Sequence, residues 1–330
     1  MPSATANYLS TLADRFARGW NRFWFAPADP FNLGVLRIGT GLVALWLHLS
    51  YSFDLVRLFG AGGWLPIETI RALEVESWRF SYLDYIQQPT DLLVAHVGGA
   101  VVLAMFTLGL LTRISSGLAA VVVLSYVHRA PLLTSQVEPI VTMLVLYLCL
   151  GPAGACLSID RWQAARRARI RGATAELLDR PSYAANICLR LVQVHLALLY
   201  AMLGLCKLWG DAWWAGSGVW FLIARPESRL VDLTGLAAYP LVINAWTHAI
   251  VLFELAFAIL IWQPLARPLL LALGMAIWAS LALLTGNVAW AATMLVANLA
   301  FASPDWLRSW WPRRASLATV KSAALQEARG

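Results

Sequence analysis

The chain has few charged residues for its length. Of its 330 residues, 13% are Asp, Glu, Lys or Arg, whereas an average soluble domain carries about a quarter. With 60% of its residues apolar, a water-soluble fold of this size could not cover its surface with so few charges. The 22 glycines and 15 prolines are ordinary in number, which excludes collagen-like and low-complexity chains. The composition therefore predicts an integral membrane protein.

Cysteine and lysine are both scarce. The four cysteines lie in apolar stretches and none has the spacing of a metal-ligand pair, so we expect neither a disulfide scaffold nor a zinc module. No metal site is predicted anywhere in the chain. Of the 25 basic residues, 23 are Arg, and only Lys207 and Lys321 are Lys.

Long apolar runs predict an all-α fold, a polytopic membrane helix bundle with no separate soluble domain. A bilayer core of about 30 Å needs about 20 apolar residues per helix, and this window predicts about eight transmembrane helices. The predicted spans are residues 32–53, 91–111, 114–126, 139–151, 187–207, 241–262, 268–285 and 288–301. The third and fourth are short, so they could form one helical hairpin whose tip dips into the bundle. Residues 31–304 form the transmembrane domain.

The segments outside this domain are short. Residues 305–330 are predicted to be a cytoplasmic tail, too short and polar to form a core. Residues 1–30 carry apolar side chains at helical spacing, with Arg15, Arg18 and Arg22 on another face. This pattern is typical of an interfacial amphipathic helix on the membrane surface, and a soluble helix packed on a partner is the alternative.

The distribution of arginine along the chain predicts the orientation of the protein in the membrane. With the N-terminus inside, 17 of the 25 basic residues lie in inside segments and six in outside segments. Basic residues in short loops stay cytoplasmic, so we expect both termini to be cytoplasmic. The dominance of Arg over Lys, with abundant Ala, Leu and Trp, indicates a GC-rich bacterial genome, so we expect the cell (cytoplasmic) membrane of a bacterium. The net charge of +7 is explained by topology and by contact with the lipid bilayer, and it gives no reason to expect nucleic acid as a partner.

Lys207 is the most informative ionisable residue within a span. It follows an apolar run near the predicted outer end of its helix, on the same stripe as Tyr200 and Gln193. A partly desolvated Lys prefers its neutral form and can act as a general base, which Arg cannot. The alternative is that Lys207 snorkels to the outer interface as an anchor.

Glu254 is predicted to lie in the middle of its span. A lone carboxylate at that depth must be protonated, paired or facing a wet cavity, and Arg37 is the partner expected from its depth. We therefore predict a polar cavity that opens outward and is lined by Arg37, Tyr200, Lys207 and Glu254. Gln193 and Glu138 are further candidates for its lining.

Several segments resemble one family. Tyr200 to Gly216 contains Gly-Leu-Cys-Lys207-Leu-Trp-Gly-Asp-Ala-Trp-Trp-Ala-Gly, and Leu33-Gly-Val-Leu-Arg37-Ile-Gly-Thr-Gly41 lies in the first span. Gly62-Gly-Trp-Leu-Pro66 follows in the first outer loop, and Pro152 to Trp162 ends the fourth span. Together they resemble the HTTM family, the horizontally transferred transmembrane domain shared with vitamin K-dependent gamma-carboxylase, over roughly residues 31–304.

The resemblance implies a chemistry for Lys207. In the carboxylase, the matching Lys is the base that deprotonates vitamin K hydroquinone, so the resemblance implies carboxylase- or oxygenase-like lyase chemistry and a quinone or hydroquinone cofactor. This chain has departures from the family pattern. It lacks the large extramembrane C-terminal part of the carboxylase. It has Trp278 where many members have His, and Ser135-Gln-Val-Glu138-Pro where members have a Gly-Gly-Asp-like element.

Two functional hypotheses follow from these observations. The first is a quinol- or lipid-linked membrane enzyme that uses Lys207 as its base. The second is a non-catalytic membrane factor for the maturation or export of a small secreted peptide or protein, a role found among small bacterial relatives of this family. A transporter is disfavoured because the spans hold few paired charges and show no inverted repeat.

Overall fold

The computed structural model describes residues 4–73, 79–171, 180–225 and 230–310, and these residues form an all-α fold, as predicted. No strand forms within those ranges, where an isolated bridge joins Ala28 and Ser182. The first eight helices are α1 (Ala4–Phe25), α2 (Phe31–Ser50), α3 (Leu55–Phe59), α4 (Ile67–Leu73), α5 (Pro89–Leu108), α6 (Thr112–Arg129), α7 (Val137–Leu150) and α8 (Ile159–Ile170). The others are α9 (Tyr183–Leu208), α10 (Asp211–Trp214), α11 (Gly218–Ile223), α12 (Pro240–Leu260), α13 (Arg267–Thr285), α14 (Val288–Asn298) and α15 (Pro304–Ser309).

Five helical segments are long and apolar enough to cross a membrane. They are α2 continued to Phe59, α5, α9, α12 and α13, and half or fewer of the residues in each are buried inside the protein. The remaining faces carry exposed large apolar side chains such as Leu93, Leu198 and Leu252, which indicates a lipid bilayer around them. The other three predicted spans coincide with α6, α7 and α14, which are shorter or less apolar, so the count of eight stays a prediction.

Close helix contacts depend on small residues. Gly204 of α9 lies against Leu255 of α12, where an added Cβ would come within 2.8 Å of the Leu255 Cδ2. Gly41 of α2 lies even closer to Thr107 of α5. Small residues let backbones approach closely where lipid provides no hydrophobic driving force. The α9–α12 contact brings the last turn of α9 beside the middle of α12.

The N-terminal helix α1 is attached to the bundle through its last turn. The Asn186 side-chain amide of α9 donates to the carbonyl oxygens of Phe23 and Trp24, both at 2.8 Å, and the Arg190 guanidinium lies 4.4 Å from the Phe23 ring centroid. Earlier in α1, Leu12 and Phe16 are exposed. An interfacial position for α1 stays a prediction, and this exposed apolar stripe is the feature that it requires.

Arg37 does not pair with Glu254, so the predicted ion pair is wrong. The fully buried Arg37 guanidinium donates to the carbonyl oxygens of Ala153 at 2.7 Å and Leu157 at 2.5 Å, in the turn after α7. The carbonyls of Ala153 and Leu157 lie outside any helix, so they need donors from elsewhere in the bundle. Glu254 has a different cation as its partner.

Asp160, in the first turn of α8, connects α8 to the start of α6. Its carboxylate accepts hydrogen bonds from the backbone N–H groups of Leu111 and Thr112 and from the Thr112 hydroxyl. Burial alone would raise the pKa of Asp160, but these hydrogen bonds and the positive charge of Arg37 outweigh it and lower the pKa. The Asp160 contribution to stability is therefore present above about pH 4 and is lost as the pH falls toward the lower pKa of the folded state.

We expect Arg37→Met to lower the free energy of unfolding by about 3 kcal/mol, because two buried carbonyls lose a charged donor. SDS-induced unfolding in mixed micelles, followed by circular dichroism, measures this change. Arg57→Met is the matched control, since Arg57 is 70% exposed and pairs with Asp54 on the surface. Its effect should stay within about 0.5 kcal/mol. Equal effects of the two substitutions would contradict a structural role for Arg37.

Candidate functional site

Lys207 and Glu254 form a partly buried ion pair between α9 and α12. The Lys207 Nζ lies 2.6 Å from Oε1 and 2.8 Å from Oε2 of Glu254, so both carboxylate oxygens accept a hydrogen bond. Glu254 is 4% exposed. It lies fourteen residues into α12, about 21 Å along the helix axis. Charges at this depth are stable only when paired and hydrogen-bonded, and the close α9–α12 contact at Gly204 makes this pairing possible.

The chain after Lys207 folds back beside α12. The Val219 N–H of α11 donates to the Thr247 hydroxyl of α12 at 3.1 Å, and Gly216 lies against Asn244. This returning segment places the Trp213 ring 5.1 Å from the Lys207 Nζ, within the range of a cation–π interaction. The Lys207 ammonium therefore points into the bundle toward Glu254, and the snorkelling alternative does not describe this side chain.

A cavity of about 690 Å³ lies beside the ion pair. Lys207, Glu254 and Trp278 line it at the depth of the pair, and Trp213 and Trp290 add two further aromatic rings. The rest of its lining consists of Gln136, Leu203, Leu222, Arg225, Ile250, Leu281, Thr285, Gly286 and Asn287. Thr285 to Asn287 join α13 to α14, so the cavity reaches the end of the bundle where these two helices meet.

Tyr200 lies behind the cavity wall and supports it. The Trp278 indole N–H donates to the Tyr200 hydroxyl at 2.7 Å, and the Asn298 side-chain amide bonds the same hydroxyl. The Tyr200 ring is fully buried and stacks on Phe257 with centroids 3.9 Å apart. Tyr200 therefore fixes the orientation of Trp278 and does not itself face the cavity, in contrast to the prediction.

Three other predicted lining residues lie elsewhere. Arg37 binds the turn after α7, as described above. Gln193 donates to the Ala300 carbonyl at 2.7 Å, and it shares a stripe with Lys207 but lies fourteen residues, or about 21 Å, away along α9. Glu138 accepts from the Tyr51 hydroxyl and from Ser135, beside a different and much smaller cavity.

The sequence alone did not identify the aromatic wall. The sequence pattern of Trp209, Trp213, Trp214 and Trp220 among glycines favours anchoring at the headgroup interface at least as much as ligand stacking, and the structure separates these residues. Trp209 and Trp214 are 92% and 67% exposed, whereas Trp213 lines the cavity. Trp278 and Trp290 come from α13 and α14, and only the packing of these helices brings them to the site. The one sequence feature that could have identified Trp213 as a residue of the site is its position, six residues after Lys207.

Among the described residues, no group of three or more His, Cys, Asp or Glu side chains could hold a metal ion. In comparisons with known proteins, no family, no curated protein and no solved structure matches this chain.

The Lys207–Glu254 pair should behave as one energetic unit. We expect Lys207→Met to lower the free energy of unfolding by about 3 kcal/mol, since it leaves the buried Glu254 carboxylate without its partner. Glu254→Leu should lower it less, since the Lys207 side chain is 18% exposed and can be hydrated. The double variant should lose much less than the sum, because no isolated charge remains. SDS unfolding of the four proteins in mixed micelles measures this coupling. Strictly additive losses would contradict the pairing.

Proposed function

We propose that the chain is a membrane enzyme and that the cavity beside Lys207 and Glu254 is its active site for a lipid-soluble hydroquinone. One observation carries the proposal: the partly buried Lys207–Glu254 ion pair, in which Nζ donates to both carboxylate oxygens, lies at the wall of an aromatic-lined cavity. Small-molecule sites have volumes of about 300–1,000 Å³ and combine apolar walls with a few convergent polar groups. The cavity of about 690 Å³ is within this range.

The residues present fit a planar hydroxyl-bearing ring. The indole rings of Trp213, Trp278 and Trp290 offer flat apolar surfaces for such a ring, and aromatic pairs are stabilised beyond their buried area. The ion pair supplies the polar contact for a hydroxyl group. A bound hydroquinone supplies an acidic hydroxyl group to this site.

The ion pair accepts a proton as a unit. As Lys–NH₃⁺ and Glu–COO⁻ it is neutral overall, and the Glu254 carboxylate can take up one proton at Oε1 or Oε2. One hydrogen bond from the Lys207 Nζ is then released, and the ammonium is free to stabilise negative charge at the cavity wall. Lys207 is itself the base when its proton lies on Glu254, because the two groups share a hydrogen bond along which that proton can move.

The resemblance to the HTTM family supports the same assignment, and we propose that the chain is a member. The matching lysine is Lys207, the residue that lines the cavity. Two of the positions at which this chain departs from the family pattern also line the cavity. Trp278 stands where many members have His, and Gln136 belongs to the segment Ser135-Gln-Val-Glu138-Pro, which stands where members have a Gly-Gly-Asp-like element. We therefore propose proton abstraction at this site without carrying over the carboxylation of glutamate.

Binding of a short-chain naphthohydroquinone to the protein in nanodiscs, under anaerobic conditions, tests this function. We expect quenching of tryptophan fluorescence and a new infrared band from a protonated carboxyl group. Lys207→Met and Glu254→Gln should weaken binding about tenfold or more, since a hydrogen bond to a charged group contributes about 1.5–3 kcal/mol. Glu254→Gln should also lack the infrared band.

Two controls sharpen this result. Lys321→Met changes the only other lysine and should leave both signals unchanged. The dimethyl ether of the same hydroquinone, which has no hydroxyl proton, should bind more weakly and give no infrared band. If both site variants bind the hydroquinone as well as the unmodified protein does, the enzyme hypothesis fails. A non-catalytic membrane factor then becomes the better interpretation.

We also propose that the chain lies in the cytoplasmic membrane with both termini inside. The excess of arginine in the predicted inside segments supports this orientation. A C-terminal green fluorescent protein fusion should then fluoresce, and an alkaline phosphatase fusion after Gly235, in the segment before α12, should be active. The opposite pair of results would reverse the topology.

A further inference from the structure

Two arginines lie together far from the Lys207 cavity, where α1, α9 and α13 meet. Arg190 is seventeen residues, or about 25 Å, before Lys207 along α9, and Arg267 is the first residue of α13. Two aromatic rings connect them. The Phe23 ring of α1 lies 4.4 Å from the Arg190 guanidinium and 5.7 Å from the Trp262 ring, and Arg267 donates to the Trp262 carbonyl at 3.4 Å. Both arginines are partly exposed, so a ligand can reach them.

No carboxylate of the described residues balances these two charges. Arg190 donates to the Gln193 amide oxygen at 2.9 Å, Arg267 donates to the Ile261 carbonyl at 3.1 Å, and neither forms an ion pair within that part of the chain. The charge of Arg267 acts on Arg190, and it has the same sign. Like charges repel, so an anion bound beside them would stabilise this arrangement.

Other arginines of the bundle have a different environment. Four that are buried or partly buried have acidic neighbours, which are Asp84 for Arg79 and Arg129, Asp160 for Arg37, and Asp29 for Arg308. Arg190 and Arg267 thus form a positive cluster whose counter-charge must come from outside the described chain.

Donors beside this cluster also lack acceptors. The Arg190 Nε and the Trp24 indole N–H are buried, and no described residue accepts a hydrogen bond from either. The Trp24 ring lies 5.1 Å from the Phe23 ring, and Asn186, one turn before Arg190, donates to the Trp24 carbonyl. Buried donors without acceptors are rare in folded proteins, and an unseen water or ion is one explanation for them. Two such donors at one place point to an acceptor that binds there.

The surroundings of the cluster are those of a headgroup interface. Trp24 and Trp262 lie beside it, and tryptophan is enriched at the level of lipid headgroups. Beyond Arg267, α13 presents the exposed apolar side chains of Leu269 and Leu273. A soluble anion would leave this apolar surface uncovered, whereas a phospholipid can cover it with acyl chains while its phosphate reaches the arginines.

We propose that Arg190 and Arg267 bind the phosphate of one anionic phospholipid, such as phosphatidylglycerol. The planar guanidinium group presents a fork of donors that matches two oxygens of a phosphate. A zwitterionic phospholipid has the same phosphate, but it adds a cation that two arginines repel. The net negative lipid is therefore selected. Because α1, α9 and α13 all contribute to the cluster, the bound lipid also links the N-terminal helix to the bundle.

Titration of the protein in detergent with phosphatidylglycerol, followed by native mass spectrometry, tests this site. We expect one phosphatidylglycerol molecule to bind about tenfold more tightly than phosphatidylcholine, and Arg190→Met should abolish this preference. Arg167→Met is the matched control. It removes the same charge from the exposed surface of α8, which belongs to the same predicted side of the membrane, and it should leave the preference unchanged. An excess of inorganic phosphate should not displace the lipid, since it has no acyl chains.

A second variant covers the case in which Arg190→Met does not fold. Gln263 is exposed and precedes Arg267 by one turn, with its carbonyl accepting from the Arg267 N–H. In Gln263→Glu the new carboxylate can pair with Arg267 and compete with the lipid phosphate, so we expect weaker binding of phosphatidylglycerol. Gln163→Glu adds the same charge to α8 and should bind this lipid as the unmodified protein does.

Three results would overturn the proposal. The first is equal affinity of the unmodified protein for the two phospholipids. The second is unchanged binding of phosphatidylglycerol in Arg190→Met or Gln263→Glu, or an equal loss in the α8 controls, which would indicate diffuse attraction to basic residues. The third is displacement of the lipid by inorganic phosphate, which would identify a site for soluble anions.

Discussion

The partly buried ion pair between Lys207 and Glu254 is the interaction on which one half of the bundle depends. A carboxylate at the depth of Glu254 is stable only beside a cation, and the cation can reach it only because α9 and α12 approach closely at Gly204. The segment after Lys207 then folds back beside α12 and encloses the pair. The same arrangement leaves a cavity with one charged wall and three indole rings.

A different set of buried polar contacts stabilises the other half. Arg37 donates to carbonyls of the turn after α7, and Arg129 donates to the carbonyls of Gly60 and Leu65 and so holds the loop between α3 and α4. Both arginines are fully buried, and backbone carbonyls are their main partners. Arginine suits this role because its planar group presents several donors and remains charged when buried. The two kinds of cation thus have different roles in this fold: the buried arginines bind backbone carbonyls, whereas the rare lysine Lys207 pairs with a carboxylate.

Much of the fold was predictable from the sequence, and the site was predictable only in part. The helices of all eight predicted spans form, because apolar runs of this length determine helices through hydrogen bonding within each segment. Lys207 and Glu254 stood out because isolated charges in apolar helices need a partner. The partner itself was assigned wrongly. Depth along a helix says nothing about which neighbour lies across from it, and Arg37 has carbonyl partners that no pattern of side chains reveals.

Composition and periodicity by themselves determined that this chain is an all-helical membrane protein with a few buried ionisable residues, one of them a rare lysine. These are properties of single segments, fixed by local hydrogen bonding and by the cost of exposing charge to lipid. Only the tertiary structure decided that Lys207 pairs with Glu254, that Trp213, Trp278 and Trp290 share one cavity, and that Arg190 and Arg267 meet at the rings of Phe23 and Trp262. Such contacts join residues that are far apart in the chain. They depend on which helix faces meet, and helix packing determines that through small residues and side-chain shape.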